Sequence, residues 1–178
     1  TPGNIGLLMR LWSVVLAGNL IGTAVAAWAF NFMPVFDDPT RQAFVSIAED
    51  VMKNSPTEMF ANAIISGWLV ATMVWMFPVA GAAKIVVIIL MTWLIALADT
   101  THIVVGSVEI LYLVFNGRLP WSDFIWPFAL PTLAGNICGG TFIFALLSHA
   151  QIRNDMSSKR KAEARAQAAE KAKNADRA

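Results

Sequence analysis

The chain has 178 residues, 57% of them hydrophobic and only 14% charged, against about 25% charged in an ordinary soluble domain. That balance argues against a soluble globule, and the formal net charge of +1 hides an asymmetry, because eight of the thirteen Lys and Arg residues follow Ile152. A single cysteine, Cys138, excludes an internal disulfide framework and a cysteine-cluster metal site.

An apolar helix needs about 20 residues to cross about 30 Å of hydrocarbon. Four regions meet or approach that length, so residues 1–152 read as one all-α, polytopic transmembrane domain and 153–178 as a charged tail. The first span covers 8–33 and is closed by Pro34; the second covers 57–78, with no charge until Lys84. The third, 84–116, is about 50 Å long if helical throughout, too long for one straight crossing. It contains Asp99, His102 and Glu109, and Asp99, Thr100 and Thr101 are residue types that cap a helix start. We expect two half-helices meeting near 99–102 inside the membrane, where irregular backbone survives only against protein or water. The fourth span covers 127–151, with Pro127 and Pro131 before or in its first turn.

The tail holds eight basic and four acidic residues, while the connection between the first two spans carries Asp37, Asp38, Glu49 and Asp50 against Arg41 and Lys53. The positive-inside rule then puts the tail in the cytoplasm.

The first and last spans share a segment. Leu16-Ala17-Gly18-Asn19-Leu20-Ile21-Gly22 matches Leu133-Ala134-Gly135-Asn136-Ile137-Cys138-Gly139, with Gly140 following in the second copy. The pairs Gly18/Gly22 and Gly135/Gly139 allow close helix–helix approach in lipid. Asn19 and Asn136 suit either an interhelical hydrogen bond or donation to a passing solute. Copies three crossings apart run in opposite directions, an inverted-topology repeat. The parity makes this chain a C-terminal piece of a six-helix protein, with two helices expected before Thr1, one of them broken around a polar loop.

At these residues the sequence resembles the formate/nitrite transporter family. The resemblance rests on Pro131-x-Leu133-x-Gly135-Asn136-Ile137-x-Gly139-Gly140, Gly18-Asn19-x-x-Gly22, Trp68-Leu69-Val70-Ala71-x-x-Val74-Trp75 and His102 after the break. It is closest to the family's YfdC-type bacterial inner-membrane branch through segments such as Asp99-Thr100-Thr101-His102-Ile103-Val104. The resemblance implies an aquaporin-like fold of two inverted helix triplets, a homopentamer, and one pore per protomer for a small monovalent anion such as formate or nitrite. It places His102 at the pore centre, Val70 facing the pore and Ile95 at a hydrophobic gate. Gly106 and Gly67 depart from the family pattern, which often has Asn at both positions.

Burying a bare anion costs on the order of 20 kcal/mol by an idealised Born estimate. Free N–H groups near Thr101, the His102 imidazole, and the amides of Asn19 and Asn136 are the groups that would offset it. Histidine can also exchange a proton with a weak acid near neutral pH. Asp99 and Glu109 are candidates for a proton relay, and with His102 they define the competing reading, a proton-linked cation or metal transporter. A Ser107–His102 hydrolase dyad is the third reading, disfavoured because five residues along a helix turn the two side chains apart. No enzyme, cofactor-binding or nucleic-acid-binding motif is present, so the expected partners are the lipid bilayer, the solute and further copies of the chain.

Overall fold

The computed structural model describes residues 2–151 and 153, so the charged tail lies outside the described residues apart from Arg153. Among the described residues the regular elements are helical: α1 (Pro2–Phe32), α2 (Asp38–Val51), α3 (Pro56–Ala80), α4 (Lys84–Leu97), α5 (Ile103–Phe115) and α6 (Trp121–Gln151). Three stretches are long and apolar enough to cross a membrane: Ile5–Phe32, Pro56–Leu97 and Trp121–Gln151. α5 is shorter and equally apolar.

α1 ends where Arg41 reaches back to it. The guanidinium donates to the carbonyls of Asn31 at 2.8 Å, Met33 at 2.7 Å and Phe36 at 3.1 Å. A cation there complements both the unpaired carbonyls and the negative end of the helix. The charged connection is itself structured as α2, whose N-cap Asp37 accepts from the Thr40 backbone N–H at 3.1 Å. α2 buries Val45 and Ala48 against α1 and α5, and Phe44 meets Tyr112 edge to face at 5.7 Å.

α3 begins with reciprocal capping. Ser55 Oγ accepts from Glu58 N–H at 3.3 Å, and Glu58 Oε2 accepts from Ser55 N–H at 2.7 Å. The helix runs through Pro78 to Ala80 and stops at Gly81, whose φ of 51° and ψ of −121° suit glycine. The chain turns there, and α4 packs against α3. The outer side chains of α4, among them Ile85, Val86, Ile89, Trp93 and Leu97, remain exposed.

α6 starts earlier than the sequence suggested. Helix begins at Trp121 and is wound wide over Phe124–Ala129, with Trp126 extended before Pro127. Two apolar cores hold the elements together. One joins α1, α2 and α5 through Ala27, Val45, Leu111, Tyr112 and Leu113. The other joins α3, α5 and α6 through Met59, Ile103, Ile110 and Phe128, with Leu16 and Leu20 of α1 packed on it.

Candidate functional site

The third expected span is broken where the sequence placed the break. α4 ends in a closed Schellman turn: Asp99 N–H donates to Ala96 O and Thr100 N–H to Ile95 O, both at 3.2 Å, with Asp99 in the left-handed region at φ 48°. Thr100 Oγ1 adds a bond to Ile95 O at 3.1 Å. The cap of the next helix differs from expectation. Thr100 closes α4, Thr101 turns away, and His102 is the N-cap of α5, its Nδ1 accepting from Val104 N–H at 3.3 Å. An acceptor on the imidazole serves a first-turn N–H as a carboxamide or hydroxyl oxygen does.

Three polar side chains, one each from α3, α6 and the connecting residues themselves, fix this break. Thr101 Oγ1 donates to Met59 O at 2.8 Å, and Ser66 Oγ donates to Thr101 O. Asn136 Oδ1 accepts from Ile103 N–H at 2.9 Å, while its Nδ2 donates to Ala63 O at 2.8 Å and to Ser66 Oγ at 3.0 Å. One amide thus ties the start of α5 to α3 from its seat on α6. Inside low-dielectric surroundings an unmade bond to any of these groups is expensive, so the network holds His102 in place.

The glycines of the second repeat copy allow this approach. A Cβ on Gly135 or Gly139 would collide with the carbonyls of Phe60 and Ile64, and one on Gly140 would sit 3.2 Å from Gly67 O. The two departures from the family pattern also have packing causes. A Cβ on Gly67 would lie 2.5 Å from Asn136 O, and one on Gly106 would lie 2.7 Å from the ring of Phe128. Neither position has room for an asparagine side chain beside its present neighbours.

The other candidates are distributed as follows. Val70 is half-buried on α3, one turn beyond Ser66, and Ile95 is buried in the last turn of α4. Glu109 lines an open groove of about 440 Å³ with Phe30, Phe44, Val105, Val108 and Tyr112; His102 does not line that groove. Asp99 is exposed at the break. Among the described residues no three His, Cys, Asp or Glu side chains converge to hold a metal ion. Ser107 is fully buried and its hydroxyl donates to Ile103 O at 2.5 Å, so it forms no dyad with His102. Gly18, Asn19 and Gly22 lie exposed on α1, with nothing within 4 Å of a Cβ placed on either glycine. Sequence reasoning missed Ser66 and Met59; the available signal for Ser66 was a hydroxyl beside Gly67 in the middle of an uncharged span.

A helical membrane protein whose apolar hairpin passes into a helix broken at a capped histidine is the class these elements define. The formate/nitrite transporter family pattern matches residues 2–150, and the chain belongs to that family. It is similar to inner membrane protein YfdC of Escherichia coli (strain K12), at 81% identity over 174 residues, which is 98% of this chain and 56% of the relative. The chain therefore spans little more than half the length of that relative. No solved structure matches it.

Proposed function

We propose that the chain forms part of a conduction path for small monovalent anions, such as formate or nitrite, in the bacterial inner membrane. Membership of the formate/nitrite transporter family, together with a break in the helix at His102, carries this reading. The likeness to an inner membrane protein supports the location. The multi-pass chain would have its tail in the cytoplasm, as the basic excess after Ile152 argues, and would act as a homopentamer of inverted helix triplets, as the family resemblance implies.

His102 is the central donor. Because Nδ1 accepts from the Val104 N–H, the resting imidazole is neutral and carries its proton on Nε2, free to donate to an anion. To act as a proton source the ring must take a second proton on Nδ1, from water or a relay carboxyl, and pass its Nε2 proton to the anion, returning to neutral. The proton on Nδ1 would face the Val104 N–H and release the cap. Donation therefore comes first, and protonation of the solute is coupled to loosening of the first turn of α5. Thr101 and Asn136 act by holding the break, while Asn19 belongs to the same repeated pattern. Val70 and Ile95 narrow the path and exclude water and larger solutes. Asp99 and Glu109 remain the relay candidates, Glu109 being the half-buried one. The cation reading is disfavoured by the absence of a convergent ligand set among the described residues.

The test is uptake of labelled formate or nitrite into proteoliposomes containing the full-length protein. Removing a hydrogen bond to a charged group costs about 1.5–3 kcal/mol, so His102→Phe is expected to slow uptake by at least about tenfold. Undiminished flux in that variant would refute the role of the imidazole.

A further inference from the structure

The open groove beside Glu109 has a composition that anion conduction leaves unexplained. Three helices wall it: Phe30 comes from α1, Phe44 and Ile47 from α2, and Val108, Glu109 and Tyr112 from α5. The aromatic side chains are already packed together. Phe44 stacks on Phe30 with ring centroids 6.0 Å apart and meets Tyr112 edge to face at 5.7 Å. The volume of about 440 Å³ suits a small organic molecule. Among the described lining residues only Glu109 can carry a charge at neutral pH. No cation there offsets it: the ion pairs of the described residues are Lys53–Asp50 and Arg118–Glu49. The described charge that acts on Glu109 is Asp99, which has the same sign.

We propose that the groove is a binding site for a small organic ammonium ion with a hydrocarbon body, with Glu109 as its counter-ion and Phe30 and Phe44 as its aromatic walls. Charge complementarity selects this occupant. A carboxylate facing apolar side chains is costly to keep charged, and a cation placed beside it offsets that cost. Ring faces attract the same cation through their quadrupoles, and the apolar walls take up its hydrocarbon body. An acyl chain, an apolar helix or a second copy of the chain would fill the groove yet leave the carboxyl without a partner. His102 does not line the groove, so the site stands apart from the imidazole and goes beyond conduction of an anion.

The test is equilibrium binding of 2-phenylethylammonium to the full-length protein in nanodiscs, after subtraction of uptake by protein-free nanodiscs. Propylbenzene, which has nearly the same shape and no charge, is the comparison. The native protein is expected to bind the ammonium at least about tenfold more tightly than the hydrocarbon, and Glu109→Gln to lose that preference, because a charge-assisted hydrogen bond disappears. Val105→Trp, at an exposed position on the groove wall, is expected to abolish saturable binding of the ammonium by filling the space. Equal affinity for the two probes, an unchanged preference in Glu109→Gln, or binding retained in Val105→Trp would each overturn the proposal. So would the absence of saturable binding to the native protein, which would mean that lipid, other parts of the chain or a second copy occupies the groove. The comparison of the two probes on the native protein needs no substitution, so it decides the matter even if a variant fails to fold.

Discussion

Asp99 shows how one residue type supports two readings that backbone geometry can separate. Its φ of 48° places a non-glycine residue in the left-handed region, where a Cβ costs roughly 1–2 kcal/mol and where Asp is among the better tolerated types. The conformation is what the closing turn of α4 requires. Asp99→Gly should therefore raise stability by up to about 1 kcal/mol in chemical or thermal unfolding. If Asp99 only closes the helix, anion uptake stays unchanged; a collapse of uptake in a stable variant would assign it to the relay. Thr132 offers a second test at this scale. It is fully buried and its hydroxyl has no hydrogen-bond partner among the described residues. Replacing it by the similarly shaped valine removes a desolvated group without breaking a bond, so Thr132→Val should be neutral or stabilising by about 1 kcal/mol. A loss of that size would reveal a partner for the hydroxyl.

Capping decides where the elements begin and end, and much of it is local. α2 depends on Asp37, whose carboxylate is held below the ordinary 3.8 first by the Thr40 side chain and then by the Thr40 backbone N–H. A folded value below the unfolded one means that the stabilisation is present above pH 3.8 and disappears as the pH falls through the lower, folded value. Asp37→Ala should therefore melt below the native protein at neutral pH, with the gap closing under strongly acid conditions. A gap independent of pH would show that the cap is not acting through its charge. α5 ends in the same kind of turn as α4, with Gly117 at φ 69° and Arg118 N–H bonded to Leu113 O at 3.0 Å. Arg118 also reaches Glu49 at 3.2 Å on the surface, a contact too exposed to contribute more than about 1 kcal/mol. These termini were partly legible: Pro34 closed the first span and the Asp-Thr-Thr run marked the break. α2 was not, since a mixed, charged connection reads as a loop until Phe44, Val45 and Ala48 find α1 and α5.

At the scale of the molecule, α3, α5 and α6 behave as one packed unit around the break. Gly106 and Phe128 are its clearest coupling: the ring is fully buried against a position with no room for a side chain. Restoring the family's residue by Gly106→Asn should cost about 1–3 kcal/mol through overpacking. Phe128→Ala should cost about 3–5 kcal/mol through the cavity it leaves. Combined, they should fall short of the sum by about 1 kcal/mol or more, because the smaller side chain makes room for the larger. Additive losses in unfolding experiments would show that the two sites do not meet. The same packing leaves no room for a polar side chain at Gly67, whose face lies against the α6 backbone.

The sequence by itself determined the solvent, the helical class, the break near His102 and the repeated Gly-Asn-x-x-Gly segment, because hydropathy, span length and capping chemistry act over a few neighbouring residues. Only the tertiary structure decided which residue caps α5, that Asn136 spends its amide on Ile103, Ala63 and Ser66, and that the two repeat copies differ in exposure. Those outcomes depend on which backbones come together across 33 to 73 residues of sequence. Local propensity leaves such pairings open, and close packing at glycine closes them.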